Sequence, residues 1–169
     1  FEKEIIDGLK VLHRPISSAM VSERTRLSAA VLDFLNITAP RLGPKFEPLV
    51  PLFVPSILRL SSRTNKVYVS RAEKTLAMII TYCPLPAIVP QLLIACKESK
   101  VVTGRIAGAE GVLRALNKWD WTQNPMKAKI GDIEDMLRLT GKDKDPTVRQ
   151  LSRKIFDAYK ALFPDRLDE

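Results

Sequence analysis

Apolar residues recur at every third or fourth position along this chain, and the recurrence is interrupted again and again by helix-stop and helix-start signals. That pattern constrains the fold more than any other feature. In the last segment Val148, Leu151, Ile155, Tyr159 and Leu162 follow the helical spacing, with Arg149, Arg153, Lys154 and Lys160 off the stripe. Val69, Leu76 and Met78–Ile80 mark a second apolar face, and Val112, Leu113 and Leu116 a third. Strand signals are nearly missing: there is no Asn-Gly or Asp-Gly hairpin turn, and strict alternation is never sustained.

The punctuation predicts eight helices. The first covers about residues 2–13 and ends near Pro15. The second starts after Ser22 and runs toward Pro40. The third spans about 46–60, with Pro51 and Pro55 bending it. The fourth starts after Asn65 and stops before Cys83-Pro84, and the fifth covers about 86–96. The sixth starts after Ser99 and reaches Lys118, and the seventh covers about 125–139. The eighth takes Asp145 as its N-cap and Pro146 as its first residue, and ends before Pro164. The starts after Ser22, Asn65, Ser99 and Asp145 are 43, 34 and 46 residues apart. An irregular period near 40 is the signature of HEAT or armadillo repeats, in which helix pairs stack into a solenoid. The expectation is an all-α HEAT-repeat array of antiparallel helix pairs, read as one domain over residues 1–169. Phe1 in place of Met suggests a piece of a longer chain.

Composition excludes several function classes. No apolar run reaches the roughly 20 residues that span a bilayer, and Pro51 and Pro55 break the longest, Leu49–Leu58. Nothing at the N-terminus resembles a signal peptide. Cys83 and Cys96 sit in apolar helical sequence and read as two reduced buried thiols of a cytosolic or nuclear protein. With one histidine, His13, and no CxxC pair, no metal site is expected. Gly104-Arg105-Ile106-Ala107-Gly108 lacks a third glycine and a preceding strand, so it is no dinucleotide fingerprint. No nucleophile motif or P-loop occurs, and no catalytic role or cofactor is expected. Asp132, Glu134 and Asp135 read as a solvated face, and Glu110 with Arg114 as an i,i+4 ion pair. Trp119 and Trp121 read as core and cap packing.

The caps point to binding. Net charge is +8, with 12 bases to 7 acids in residues 1–80 and 15 to 12 in the remainder. Such a field attracts acidic partners. A helix N-terminus favours acids and disfavours bases, yet here the starts carry bases. Arg24 and Arg26 follow Ser22; Lys66 follows Asn65; Lys100, then Arg105, follow Ser99; Arg149 and Arg153 follow Asp145. In a solenoid these starts share one edge. Each base has a plain alternative as part of a solvated face, Arg149 or Lys66 pairing with an acid such as Asp145. Val67 and Tyr68 give the Lys66 turn an apolar partner. The alternative of core packing is stronger for Val67 than for Tyr68.

Several stretches resemble one family. They are Leu42-Gly43-Pro44-Lys45-Phe46, Asn65-Lys66-Val67, Ile79-Ile80, Leu85–Pro90, Cys96–Arg105, the Trp119 helix end, and Asp145-Pro146-Thr147-Val148-Arg149 with Arg153-Lys154. Together they are similar to a TOG domain of the CLASP microtubule-associated proteins, and most of all to its second, arched TOG domain. The resemblance covers about residues 20–163 and implies a HEAT-repeat paddle whose intra-repeat loops contact the tubulin heterodimer or the microtubule lattice. It implies suppression of catastrophe and promotion of rescue, in the cytoplasm, on microtubules and at the mitotic spindle. By position it assigns Arg24, Thr25 and Arg26 to the second loop and Lys66, Val67 and Tyr68 to the third. Lys100 and Arg105 fall to the fourth loop, and Arg149 and Arg153 to the fifth. Gly104 stands where the family often carries another base, and the first-repeat loop has no counterpart here. Rival readings are a HEAT scaffold for an acidic protein or peptide and, ranked low, a nucleic-acid binder, since exposed aromatics are not interleaved with the bases. The domain is expected to be monomeric and to touch no membrane.

Overall fold

Stop signals in the sequence become turns in space only when the freed backbone groups find partners, and the chain shows where they do. A computed structural model describes residues 1–167. Its α-helices are α1 (Glu2–Val11), α2 (His13–Met20), α3 (Thr25–Leu42), α4 (Val50–Ser61), α5 (Lys66–Tyr82), α6 (Ile88–Glu98), α7 (Val102–Lys118), α8 (Asn124–Lys127), α9 (Ile130–Thr140) and α10 (Pro146–Leu162). Short 3-10 turns cover Gly43–Leu49 and Pro164–Arg166. No strand occurs among the described residues, and none of the helices is long and apolar enough to cross a membrane.

Three predicted boundaries change. Pro15 does not end the first helix. It is the third residue of α2, where a helix N–H has no intrahelical partner to lose. The chain instead kinks at Leu12 (φ −92°, ψ 6°) and continues. The predicted helix over 46–60 divides, because Pro44, Pro48 and Pro51 remove three donors within eight residues. A 3-10 turn carries the chain to Leu49, and α4 begins at Val50 with Pro55 inside it. The helix predicted over 125–139 likewise splits into α8 and α9. Asn65 and Asp145 cap as read: Asn65 Oδ1 accepts from Val67 N at 2.9 Å, and Asp145 Oδ1 from Thr147 N at 2.8 Å.

The helices form two layers. α2, α4, α6 and α9 touch in sequence along one layer, and α3, α5, α7 and α10 along the other; α2/α3, α4/α5, α6/α7 and α9/α10 pair between layers. This is the HEAT-like solenoid that the periodicity predicts. One continuous apolar core runs its length, from Leu9 and Met20 through Phe46, Phe53, Ile57, Ile80 and Leu92 to Ile133, Ile155 and Tyr159.

The edge where α3, α5, α7 and α10 end is stitched from repeat to repeat. The Cys83 thiol donates to Ala39 O at 3.3 Å, and Trp119 Nε1 donates to Ile80 O at 2.7 Å. Trp121 Nε1 donates to Ala115 O, stacks on Trp119 with centroids 5.8 Å apart, and meets Phe163 edge-on at 6.1 Å. Both tryptophans are therefore packing residues, as read. Burial pushes the Cys83 and Cys96 thiols up to about 12, so neither supplies thiolate near neutrality. Trp119→Phe keeps one six-membered aromatic ring, removes the pyrrole part of the indole and strands the buried Ile80 carbonyl. We expect a loss of about 1–3 kcal/mol in a urea titration, against little change for a substitution at exposed Asn117.

Candidate partner-binding edge

At the opposite edge each helix pair makes its tight turn, and the four turns are linked in order by hydrogen bonds. Tyr68 Oη donates to Ser22 O at 3.0 Å, and Arg71 Nη1 to Thr25 O at 3.2 Å. Arg63 reaches Glu23 Oε1 at 3.0 Å and also bonds Val21 O. Ser62 Oγ and Ser99 Oγ lie 3.1 Å apart. Arg105 then ties the third turn to the fourth. Its Nε and Nη2 donate to the two Asp143 carboxylate oxygens at 2.7 and 3.2 Å, and its Nη1 donates to Ser99 O and Lys100 O at 3.2 Å.

These bonds place the predicted residues one by one. Arg24, Thr25 and Arg26 are exposed at the start of α3, and Lys66 is exposed as the first residue of α5. Lys100 is exposed in the third turn. Arg149 is exposed at the fourth, but its Nη1 is held by Asp143 O at 2.7 Å and Lys144 O at 2.8 Å; the Asp145 carboxylate is occupied as the cap.

The other four divide: Val67 and Arg153 are exposed, whereas Tyr68 and Arg105 are buried. Val67 is 48% exposed and Tyr68 3%, the reverse of the sequence reading. The third position of α5 faces α3, and the Tyr68 ring fills that contact beneath the Arg63 guanidinium (4.7 Å to the centroid) while its hydroxyl finds a carbonyl. Arg105 is 7% exposed and gives four hydrogen bonds to its neighbours, so it braces the turns from inside. Arg153 is exposed one turn along α10 from Arg149, and the two line one groove between α9 and α10 with Leu137 and Phe156.

Besides Val67, the edge holds residues that the helix-start reading passed over. Lys142 and Lys144 are exposed in the loop before Asp145, and Arg71 is exposed one turn into α5. Leu27 (43%), Val67 and Val101 (37%) put one exposed apolar side chain at each of three successive turns. A signal existed: in each case the apolar residue lies within three positions of a base at a helix start. Bases and apolar side chains thus alternate along a braced edge, an arrangement that suits an acidic surface with apolar relief.

Two charge clusters away from the edge differ from the sequence reading. Glu110 and Arg114 make no ion pair. Glu110 instead faces Glu73, whose carboxyl is raised by burial and by that neighbouring charge. In the acidic cluster, Glu134 is paired and half-buried: it accepts from Tyr159 Oη at 2.6 Å and Arg166 Nε at 2.9 Å, which hold its carboxyl below the usual range. Among the described residues no group of side chains could hold a metal ion.

Gly104 has a packing reason. A Cβ there would lie 2.1 Å from Ser62 Oγ and 2.3 Å from Ser99 Oγ. The place where the resembling family often carries a base is, in this chain, filled by two hydroxyls.

A two-layer helical-repeat array with a braced basic edge defines a structural class. Comparison with known proteins makes that class specific. The family described as CLASP N terminal matches residues 1–169, and the chain belongs to that family. Protein STU1 of Chaetomium globosum is 25% identical over 99% of the chain, and Protein STU1 of Debaryomyces hansenii 25% over 99%. Protein peg1 of Schizosaccharomyces pombe is 22% identical over 98%. The chain spans only 15%, 11% and 12% of those proteins, respectively.

Proposed function

We propose that the intra-repeat edge binds tubulin, as the heterodimer or in the microtubule lattice. In this reading the chain is a TOG-type domain, similar to the second of its family, within a longer CLASP-like protein that stabilises microtubules in the cytoplasm and at the spindle. The observation that carries the reading is the row of exposed Arg24, Arg26, Lys66, Lys100 and Arg149 on turns that are bonded to one another, in a member of a microtubule-associated family. Braced turns hold the backbone under these bases in place before contact, so the ordering cost is confined to the side chains, about 0.5–1.5 kcal/mol each. Arg24, Arg26 and Lys66 would donate charge-assisted hydrogen bonds to tubulin carboxylates, and Leu27, Val67 and Val101 would meet apolar surface between them. Arg105 and Tyr68 act from behind, and Arg153 extends the row one turn along α10 beside Arg149. The domain would act as a monomer.

Lys66 offers the cleanest test, because its ammonium makes no bond within the chain among the described residues. We expect the wild type to co-elute with tubulin in size-exclusion chromatography and Lys66→Ala to weaken binding about tenfold, the equivalent of 1.4 kcal/mol, with the melting temperature unchanged. Arg149→Glu should weaken binding further, since it also frees the carbonyls of Asp143 and Lys144. Equal binding by wild type and Lys66→Ala would remove the edge as the interface.

A further inference from the structure

The first layer carries a second surface that the edge does not account for. Pro55, Leu58, Arg59 and Ser62 form one stripe of α4, and Gln91, Ile94, Ala95 and Glu98 one stripe of α6. The two stripes face each other across a trough of about 410 Å³, closed at one end by the Ser99–Val101 turn. The trough exists because Pro55, Ser62 and Ala95 are too short to fill the space between the helices. Its walls are mainly carbon, and Ile94 stands 45% exposed on its rim. A trough of this volume lies within the range of small-molecule pockets, about 300–1,000 Å³, and so has room for one bulky side chain.

The charges around it have one sign in excess. Arg59 borders the α4 side and Lys100 the closed end, against Glu98 alone. Arg59 spends one N–H on Ser56 Oγ at 3.2 Å, and the Lys100 ammonium makes no bond among the described residues. Two cations with free donors flank an unfilled apolar slot.

We propose that this α4–α6 trough is a docking site for an acidic peptide carrying one bulky apolar side chain. The apolar side chain fills the slot against Leu58, Ile94 and Val101, and flanking carboxylates accept hydrogen bonds from Arg59 and Lys100. The site stands on its own geometry and does not depend on what the turn edge binds, although Lys100 and Val101 border both.

The probe is a fluorescein-labelled heptapeptide of six glutamates around a central leucine, read by anisotropy on this 169-residue chain. A matched peptide has serine at the centre. The leucine peptide should bind at least tenfold more tightly than the serine peptide. Ile94→Asp and Arg59→Glu, both at exposed positions, should each weaken it at least tenfold with unchanged circular dichroism and melting temperature. Lys66→Glu should leave it within twofold. Equal binding of the two peptides overturns the slot. Loss of binding in Lys66→Glu equal to that in Ile94→Asp moves the acidic peptide to the turn edge and overturns the proposal. Concentration-dependent dimerisation abolished by Ile94→Asp would show that a second copy of the chain fills the trough, and would overturn it too.

Discussion

Arg105→Ala should lower stability by about 3–5 kcal/mol, the usual cost of removing one partner from a buried ion pair. At about 2–4 °C per kcal/mol for a chain of this size, the melting temperature should fall by 6–20 °C. The reason is that both side chains are 9% exposed and the guanidinium serves four acceptors across two turns. Its loss strands the Asp143 carboxylate and the carbonyls of Ser99 and Lys100 together. Replacing both members, as Arg105→Met with Asp143→Leu, should recover much of the loss, because no charge is then left buried. A double-mutant cycle by urea titration checks this, and additive effects of the two single changes would contradict the pairing. The pair also carries a pH signature. Burial pushes the Asp143 carboxyl up, but Arg105 and the Asp145 N–H outweigh it and hold the group below its ordinary value. Its stabilisation is thus complete above the unfolded carboxylate value of about 3.9 and is lost as pH falls through the lower folded value. The stability gap between wild type and Asp143→Asn should be constant from pH 7 to 5 and close below pH 4.

Gly108→Val should be comparably damaging, by about 3 kcal/mol or more, at the upper end of overpacking costs. Even a bare Cβ at Gly108 would lie 2.7 Å from Leu92 O and 2.7 Å from Cys96 Sγ. The first of these is backbone and cannot swing aside. α7 would have to move off α6, along a contact that also seats Gly104 against Ser62 and Ser99 and Gly111 against Leu92. Gly131→Ala is the control, since a Cβ there meets nothing within 4 Å. It should gain up to about 1 kcal/mol from helix propensity. Thermal melts of the two variants should move in opposite directions, and a stable Gly108→Val would mean that α6 and α7 are not in close contact.

The residues that the sequence reading placed well are those whose role is local. Asn65 and Asp145 cap because a side-chain oxygen two residues before an amide reaches it whatever lies elsewhere. The helical stripes and their spacing near 40 were sufficient for a two-layer repeat, because an amphipathic helix has to bury its apolar side against a neighbour. Prolines were harder to read. Pro15 and Pro40, both read as helix ends, sit inside helices, since a missing donor is harmless in a first turn and tolerable where packing holds the segment.

Side-chain fate across repeats was decided only by the tertiary structure. Arg24, Lys66 and Arg105 look alike in sequence, each a base near a helix start. Only the approach of Asp143, 38 residues away, makes Arg105 internal. Val67 and Tyr68 are neighbours in a first turn, and which one is buried depends on where α3 lies against α5. Gly104, Gly108 and Gly111 share a face of α7, but that this face is where α6 comes closest is a property of the stacked helices. The α4–α6 trough has no sequence signal at all, because it arises from short side chains on two helices a full repeat apart. Short-range geometry therefore determined the helices, the caps and the repeat. Long-range packing determined which bases remain free to meet a partner, because burial of a charge depends on acceptors that the chain brings together only when it folds.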